Sequence, residues 1–354
     1  GLHNDINPGL ELDKGDPKDK ARITEFTNAL REGDATKRRA RLEQVMDLDA
    51  YLRHLAVENI LVHGDGYSYR ANNYRVYEDP STSRFTFILH GMDNLFGVDA
   101  WGQSGPTAYV LASPVAAPLY PGASVTAVAQ ALWGDKADRE LRERFRRQAF
   151  AVYEQAIQGR DWGRRAEEIA ANLKARLLPV DPAEAARAEQ RGREGAAQVR
   201  RRMEIVRGQF EDAAALAKPG GGAGLGKYLW NISTDRGEAD LRTASDGRAA
   251  LHLRKNAPGG QVDFRLPLCL ADGRYRLTAR VRLRGVQGGS GFRLRLSGQA
   301  ETTGLPTASG DKDAQELSLD FTTTQGDPTL ILELRADQGE AWVDRETLRL
   351  VRLP

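Results

Sequence analysis

The sequence predicts a two-part α+β protein: a mainly helical N-terminal domain followed by an all-β sandwich. Three observations carry that prediction. From Asp135 to Ala217 apolar residues recur every three to four positions in an Ala-, Arg-, Glu- and Leu-rich background. Leu141, Phe145, Phe150 and Tyr153 show the pattern, as do Val199, Met203, Val206 and Phe210, and this is the period of a helix. Beyond Gly226 the period becomes two, as in RLTARVRLR (276–284), FRLRL (292–296), LSLDF (317–321) and LILELR (330–335). Between the two regimes stands Lys218-Pro-Gly-Gly-Gly-Ala-Gly-Leu-Gly226, which reads as a flexible linker. The expected boundaries are therefore 1–217, 218–226 and 227–354.

Taken in order, Gly1–Asp19 is rich in Gly, Pro, Asp and Lys and reads as loop. Ala21–Leu30 and Arg38–Met46 follow as helices. Asp47 is placed to cap a third helix, whose apolar residues are Leu48, Leu52, Leu55, Val57 and Ile60. Tyr74–Tyr77 and Phe85–Leu89 read as two short strands, joined by the turn Asp79-Pro-Ser-Thr-Ser-Arg84. Tyr109–Trp133 is the most apolar stretch, interrupted by Pro114, Pro118 and Pro121. In the C-terminal region Asp272-Gly273 and Gly288-Gly289 supply turns. Several short strands with no helix between them mean a sandwich.

Composition excludes several classes. Lys plus Arg is 51 and Asp plus Glu is 49, and the C-terminal 218–354 holds 20 basic and 17 acidic residues. Neither part is a polybasic nucleic-acid scaffold or an acidic tail. Cys269 is the one cysteine, which allows no internal disulfide and no multi-cysteine metal site, and the five histidines show no zinc spacing. No apolar run reaches the roughly 18 residues needed to span a bilayer. The sequence opens on Gly1 without a charged segment leading into an apolar one, so the expectation is a chain that begins partway through a longer protein.

The segment Leu61–Gly97 carries the chemistry. Asp65 stands between two glycines just after a helix, Asn72 and Asn73 stand just before a strand, and Asp93 follows the second strand. This is the layout of a protein-kinase catalytic loop and metal-binding segment. One aspartate positions or deprotonates the acceptor hydroxyl, while an asparagine and a second aspartate hold magnesium against nucleotide phosphates. A hard cation needs such oxygen ligands, on loops held by rigid elements. The bland alternative is that Asp65 and Asn73 are turn residues and Asp93 a cap at a strand end. His63 reads as structural, His54 and His252 as surface residues, and Trp101, Trp133 and Trp162 as packing.

These residues resemble the CotH kinase family, atypical protein kinases named after a spore-coat protein. Leu48–Asn59 (LDAYLRHLAVEN) is similar to the family's helix before the catalytic loop, and His63-Gly-Asp-Gly-Tyr67 to its WDGY element. Asn72–Pro80 (NNYRVYEDP) is similar to NNYRLYHDP, and Phe85–Phe96 (FTFILHGMDNLF) to FVFLPWGMDQMF. The strong matches cover about 45–97 and weaker ones run to about Ala217. The resemblance implies a kinase-like C-lobe, with Asp65 as the catalytic aspartate, Asn73 and Asp93 as magnesium ligands, and ATP as phosphate donor. His63 and His90 stand where aromatic residues are commoner. Nothing before Asp65 supplies the family's lysine-bearing first lobe, because Lys14, Lys18 and Lys20 lie in loop-like sequence. The expectation is thus a phosphotransferase whose present segment is inactive alone, with an unidentified protein substrate and a secreted or cell-surface bacterial setting.

Residues 227–354 resemble a jelly-roll module of the galactose- or carbohydrate-binding type. Leu270–Arg282 (LADGRYRLTARVR) and Ala341-Trp-Val-Asp344 with Leu348–Val351 carry the likeness. It implies a structural calcium on Asp344 with Asp240, and sugar contacts through Tyr228, Trp230 and Trp342. The alternative function is then a non-enzymatic surface or coat protein that binds carbohydrate or protein through its sandwich. In a strand Trp342 and Asp344 face one side, which fits a core face as well as a binding site.

Overall fold

A computed structural model of the protein describes residues 21–63, 65–70, 72–93, 95–96, 126, 128, 139–228, 230–244, 247–268, 270–297, 307–323 and 328–354. Lys14, Lys18, Lys20, Trp101, Trp133, Cys269 and nearly all of Tyr109–Trp133 lie outside these residues. The chain divides into two compact units between Arg207 and Gly208.

In the first unit the expected helices are present: α1 (Ala21–Leu30), α2 (Ala35–Val45) and α3 (Leu48–Leu61). A single turn, α4 (Tyr67–Arg70), precedes the hairpin of β1 (Tyr74–Asp79) and β2 (Arg84–Leu89). The Ala/Arg/Glu-rich stretch resolves into α5 (Arg139–Val152), α6 (Trp162–Leu177) and α7 (Pro182–Leu216), the last of which belongs to the first unit as far as Arg207, with a π turn at Tyr153–Ile157. Aspartate starts four of the helices. Asp34, Asp47, Asp161 and Asp181 each accept the backbone N–H three residues on, at 2.8–2.9 Å. Pro182 sits in the first helical position, where its missing N–H costs nothing.

β1 and β2 pair antiparallel, Tyr74 opposite Leu89 and Asp79 opposite Arg84. An aromatic cluster fixes the hairpin to α3 and α4: Tyr67 lies 4.4 Å from Tyr74 and 4.8 Å from Phe87, and Tyr51 lies 5.0 Å from Phe87, between ring centroids.

The second unit is the expected antiparallel β-sandwich. Its strands are β3 (Gly222–Gly224), β4 (Asn231–Thr234), β5 (Gly237–Thr243), β6 (Ala249–Lys255), β7 (Val262–Pro267), β8 (Gly273–Gln287) and β9 (Gly291–Leu296). They are followed by β10 (Thr307–Ala308), β11 (Gly310–Thr323), β12 (Thr329–Arg335), β13 (Gln338–Asp344) and β14 (Arg349–Arg352). One sheet runs β10-β9-β12-β7-β4. The other runs β3-β14-β8-β13-β6-β5, with β11 on the free edge of β8. The strands alternate, so Tyr275, Leu277, Ala279, Val281 and Leu283 of β8 face the core shared with Phe264, Leu294 and Leu332.

The glycine run differs from the flexible linker expected. Ala223 pairs with Leu350 in register, Gly220 donates to the Arg352 carbonyl and Arg352 donates back to Gly221, both at 2.8 Å. Ladder bonds need only backbone, and the open edge of β14 supplies partners whatever the side chains are.

Candidate functional site

Helix α3 delivers the site. Tyr51, Leu52, Leu55 and Ile60 are buried, so the helix is held on its apolar face. It ends at Val62, whose left-handed backbone (φ 52°) turns the chain, and the His63 N–H closes on the Glu58 carbonyl at 2.9 Å. Helix α7 reaches this end: Arg202 donates from Nε to the Ile60 carbonyl (2.8 Å) and from Nη2 to the Asn59 carbonyl (2.6 Å). A cation at a helix C-terminus satisfies the last carbonyls and the negative end of the dipole. Burial pulls the Arg202 guanidinium down to about 9.

Beneath the loop that follows lies a buried polar cluster. Glu58 Oε2 accepts the Ser68 N–H at 3.2 Å, and its Oε1 lies 3.2 Å from His54 Nε2 and 3.7 Å from His63 Nδ1. Burial alone would raise Glu58, but the two imidazoles and Ser68 hold it down at about 2. Burial likewise opposes a charge on His63, yet the Glu58 carboxylate and the Gly91 carbonyl outweigh it and raise the imidazole. Gly66 is packed against this pair, since a Cβ there would stand 2.3 Å from Glu58 Oε1. The surface placement expected for His54 and His252 is therefore corrected: both are buried, the first by Glu58 and Tyr51, the second by Trp342. His63 is structural, as expected, and His90 is exposed.

Asp65 and Asn73 come together. Asp65 Oδ2 accepts from Asn73 Nδ2 at 2.7 Å and from Asn72 Nδ2 at 3.0 Å. Asn73 sits at φ 48°, a conformation asparagine tolerates better than most residues. Its other amide atom faces Gly91, where a Cβ would lie 2.5 Å from Oδ1. The segment after β2 is tied down twice. His63 Nε2 donates to the Gly91 carbonyl at 3.2 Å, and the Phe96 N–H donates to the Leu61 carbonyl at 2.7 Å. Asp93 lies between these ties, in an exposed turn, and makes no hydrogen bond to Asp65 or Asn73 among the described residues.

Sequence reasoning missed Glu58, Gly91 and Arg202. Glu58 did leave a signal: it falls on the stripe Tyr51, Leu55, Val62, where a charged residue interrupts apolar spacing.

The sandwich candidates fare differently. Trp230 is 1% exposed and donates from Nε1 to the Leu225 carbonyl at 3.1 Å, so it belongs to the core and is no sugar platform. Tyr228 packs against that core, and its hydroxyl donates to Asp212 at 3.1 Å. Trp342 points outward from β13, half-buried, its ring 4.2 Å from that of His252. Asp240 accepts from Arg242 (2.7 Å) and faces His252 Nδ1 (3.0 Å), whereas Asp344 accepts from Arg248 (3.1 Å) and the Glu346 N–H (3.0 Å). Each carboxylate of the expected calcium pair thus already has an arginine of its own. Among the described residues no group of three or more His, Cys, Asp or Glu side chains could hold a metal ion. No described helix is long and apolar enough to cross a membrane.

Comparison with solved structures finds carbohydrate-binding modules. The CBM22-1 xylan-binding domain of Paenibacillus barcinonensis Xyn10C is 13% identical, with 35% of this chain and 85% of that one covered and a TM-score of 0.27. A family 35 module from Clostridium thermocellum is 18% identical, over 34% and 91%, with a TM-score of 0.26. The CBM51 of Clostridium perfringens GH95, solved with methyl-galactose, is 15% identical, over 37% and 99%, with a TM-score of 0.24. The two-sheet assignment rests on the strand pairing itself. No curated protein sequence matches the chain. The model of the family described as CotH kinase protein matches residues 5–208, more than half the sequence and all of the loop and hairpin that hold Asp65, Asn73 and Asp93. The chain belongs to that family.

Proposed function

We propose that the helical unit is the metal-side half of a phosphotransfer site that moves a phosphoryl group from ATP to a protein hydroxyl. One observation carries this reading: the Asn73 amide joins the two loops. Its Nδ2 holds Asp65, while its Oδ1 is turned to the segment that carries Asp93. The donor set fits magnesium, because Asn73 Oδ1 and the exposed Asp93 carboxylate are hard oxygens and a glycine, Gly91, stands where a Cβ would crowd the Asn73 amide. These two residues would hold the ion, and the bound ion would supply charge neutralisation at the phosphates. Asp65 acts on the acceptor. With one carboxylate oxygen engaged by Asn72 and Asn73, its second oxygen orients the incoming hydroxyl and takes its proton. Asn72 and Asn73 hold that carboxylate at one angle, and Arg202, Glu58 and His63 hold the loop beneath it.

A test is incorporation of labelled phosphate from ATP by a protein carrying this domain. Asp65→Asn and Asp93→Ala each abolish incorporation with the fold retained; undiminished incorporation in either contradicts the assignment.

Trp342 supports a second reading, in which the sandwich contacts carbohydrate. It is an outward-facing aromatic ring on the β13 surface, the kind of side chain on which a sugar ring stacks. Trp342→Ala abolishes any glycan retention that depends on it, and unchanged retention removes this reading.

A further inference from the structure

Helix α6 uses one face and leaves another bare. The used face lies on α7, where small residues allow close approach: a Cβ at Gly192 would stand 2.1 Å from the Ala170 Cβ. Glu167 with Arg200 (2.6 Å) and Lys174 with Glu189 (2.7 Å) pair across the same contact. About a quarter turn round the helix lies the bare face. There Ile169 is 55% and Leu173 47% exposed, and Val180, in the turn that follows, is 83% exposed. With Leu178 they are four of the eight large apolar side chains exposed among the described residues, so the apolar exposure of the chain is concentrated at this helix. Grouped exposure of that kind marks a surface that meets a partner.

The spacing says what shape fits. Trp162, Ile169, Leu173 and Val180 follow one another at intervals of seven, four and seven, the a and d positions of a heptad seam. On an α-helix these positions fall within an arc of about 40°. So narrow a stripe takes another helix, whereas a helix lying in a lipid surface buries a broad apolar face. The charge says which helix. Arg176 holds a seam position between Leu173 and Val180, is exposed, and has no ion pair among the described residues. Arg165 stands on the same rim, its side chain 63% exposed, and shares the single carboxylate of Glu168 with Arg164. A second copy of the chain fits badly. The antiparallel register that sets Ile169 of one copy against Leu173 of the other brings Arg176 close to Arg165, and a parallel register brings Arg176 to Arg176. A helix that carries carboxylates beside its apolar seam meets both arginines with the opposite charge.

We infer that α6 docks an acidic amphipathic helix of a protein partner, with Ile169 and Leu173 as the apolar anchors and Arg165 and Arg176 selecting its charge. The inference goes beyond the proposed function: it needs neither the Asp65 loop nor the sandwich.

The test uses the full chain and two labelled synthetic peptides, both amphipathic helices with the same leucine seam, one flanked by glutamates and the other by lysines. In fluorescence anisotropy the glutamate peptide binds, the lysine peptide binds at least tenfold more weakly, and added salt narrows the difference. Ile169→Asp/Leu173→Asp binds the glutamate peptide at least tenfold more weakly, while its melting curve and circular dichroism stay those of the parent because both side chains are exposed. Arg165→Glu/Arg176→Glu reverses the preference between the two peptides. No binding of the glutamate peptide, equal binding of both, or full affinity in the folded Ile169→Asp/Leu173→Asp variant overturns the inference. So does a dimer in analytical ultracentrifugation, or sedimentation with phosphatidylglycerol vesicles, that this variant loses.

Discussion

Asn73 is locked between two partners: its Nδ2 donates to Asp65 at 2.7 Å, and its Oδ1 lies where a Cβ on Gly91 would come within 2.5 Å. Gly91 itself has a left-handed backbone (φ 56°). Gly91→Ala therefore meets both an unfavourable conformation, about 1–2 kcal/mol for an L residue, and an overlap with the amide. The expected result is a loss of about 2 kcal/mol or more in denaturant unfolding of the helical unit. An unchanged midpoint contradicts the packing of Gly91 against Asn73.

Arg202 closes the end of α3 by donating to the Asn59 and Ile60 carbonyls. Arg202→Met fills the same space, takes the donor from the Ile60 carbonyl and leaves the Asn59 carbonyl with the long Val62 N–H bond of 3.4 Å, a cost of about 1–3 kcal/mol for a group left unpaired. Urea unfolding of the variant is expected to lose about 2–4 kcal/mol. A loss under about 0.5 kcal/mol, the usual range for surface substitutions, would falsify the capping role.

The Glu58 cluster sets a pH window. Glu58 is lowered from its ordinary 4.5 to about 2, so its stabilisation is complete above 4.5 and disappears as pH falls toward 2. His63 is raised above its ordinary 6.5, so its contribution is complete below 6.5 and disappears as pH rises through the folded value. Thermal unfolding of the helical unit should be flattest between these limits, and Glu58→Gln should remove both the acid limb due to Glu58 and most of the alkaline limb due to His63. Identical pH profiles for parent and variant count against the cluster.

Much of this was legible in the sequence. The change of period from three-to-four to two separates helices from strands, and Asp47 announces the cap of α3. Asp65 and Asn73 showed themselves as polar residues in loops beside apolar elements. What stayed hidden depends on tertiary pairing. The Arg202 partners are backbone carbonyls 142 and 143 positions away, which no local pattern encodes. The glycine run forms strand β3 through backbone bonds to β14, to which side-chain periodicity is blind. His252 occupies an outward position on β6 yet is buried, because the Trp342 ring lies on it.

Trp230 and Trp342 stand in opposite environments of the sandwich, one in its core and one on an outward face. Trp230 is 1% exposed in the sandwich core, and Trp230→Ala is expected to cost about 3–5 kcal/mol in guanidinium unfolding of that unit. Trp342→Ala, on the outward face, is expected to cost about 1 kcal/mol. Equal losses would contradict the register of β13.

The central claim is that Asn73 and Asp93 hold a divalent cation beside Asp65. Electron paramagnetic titration of the chain with Mn²⁺ in the presence of ATP reads it most directly. The account predicts a bound Mn²⁺ signal in the parent, an affinity at least tenfold weaker in Asp93→Ala, about 1.4 kcal/mol, and a parent-like melting temperature in that variant. Equal Mn²⁺ binding by parent and Asp93→Ala would contradict it.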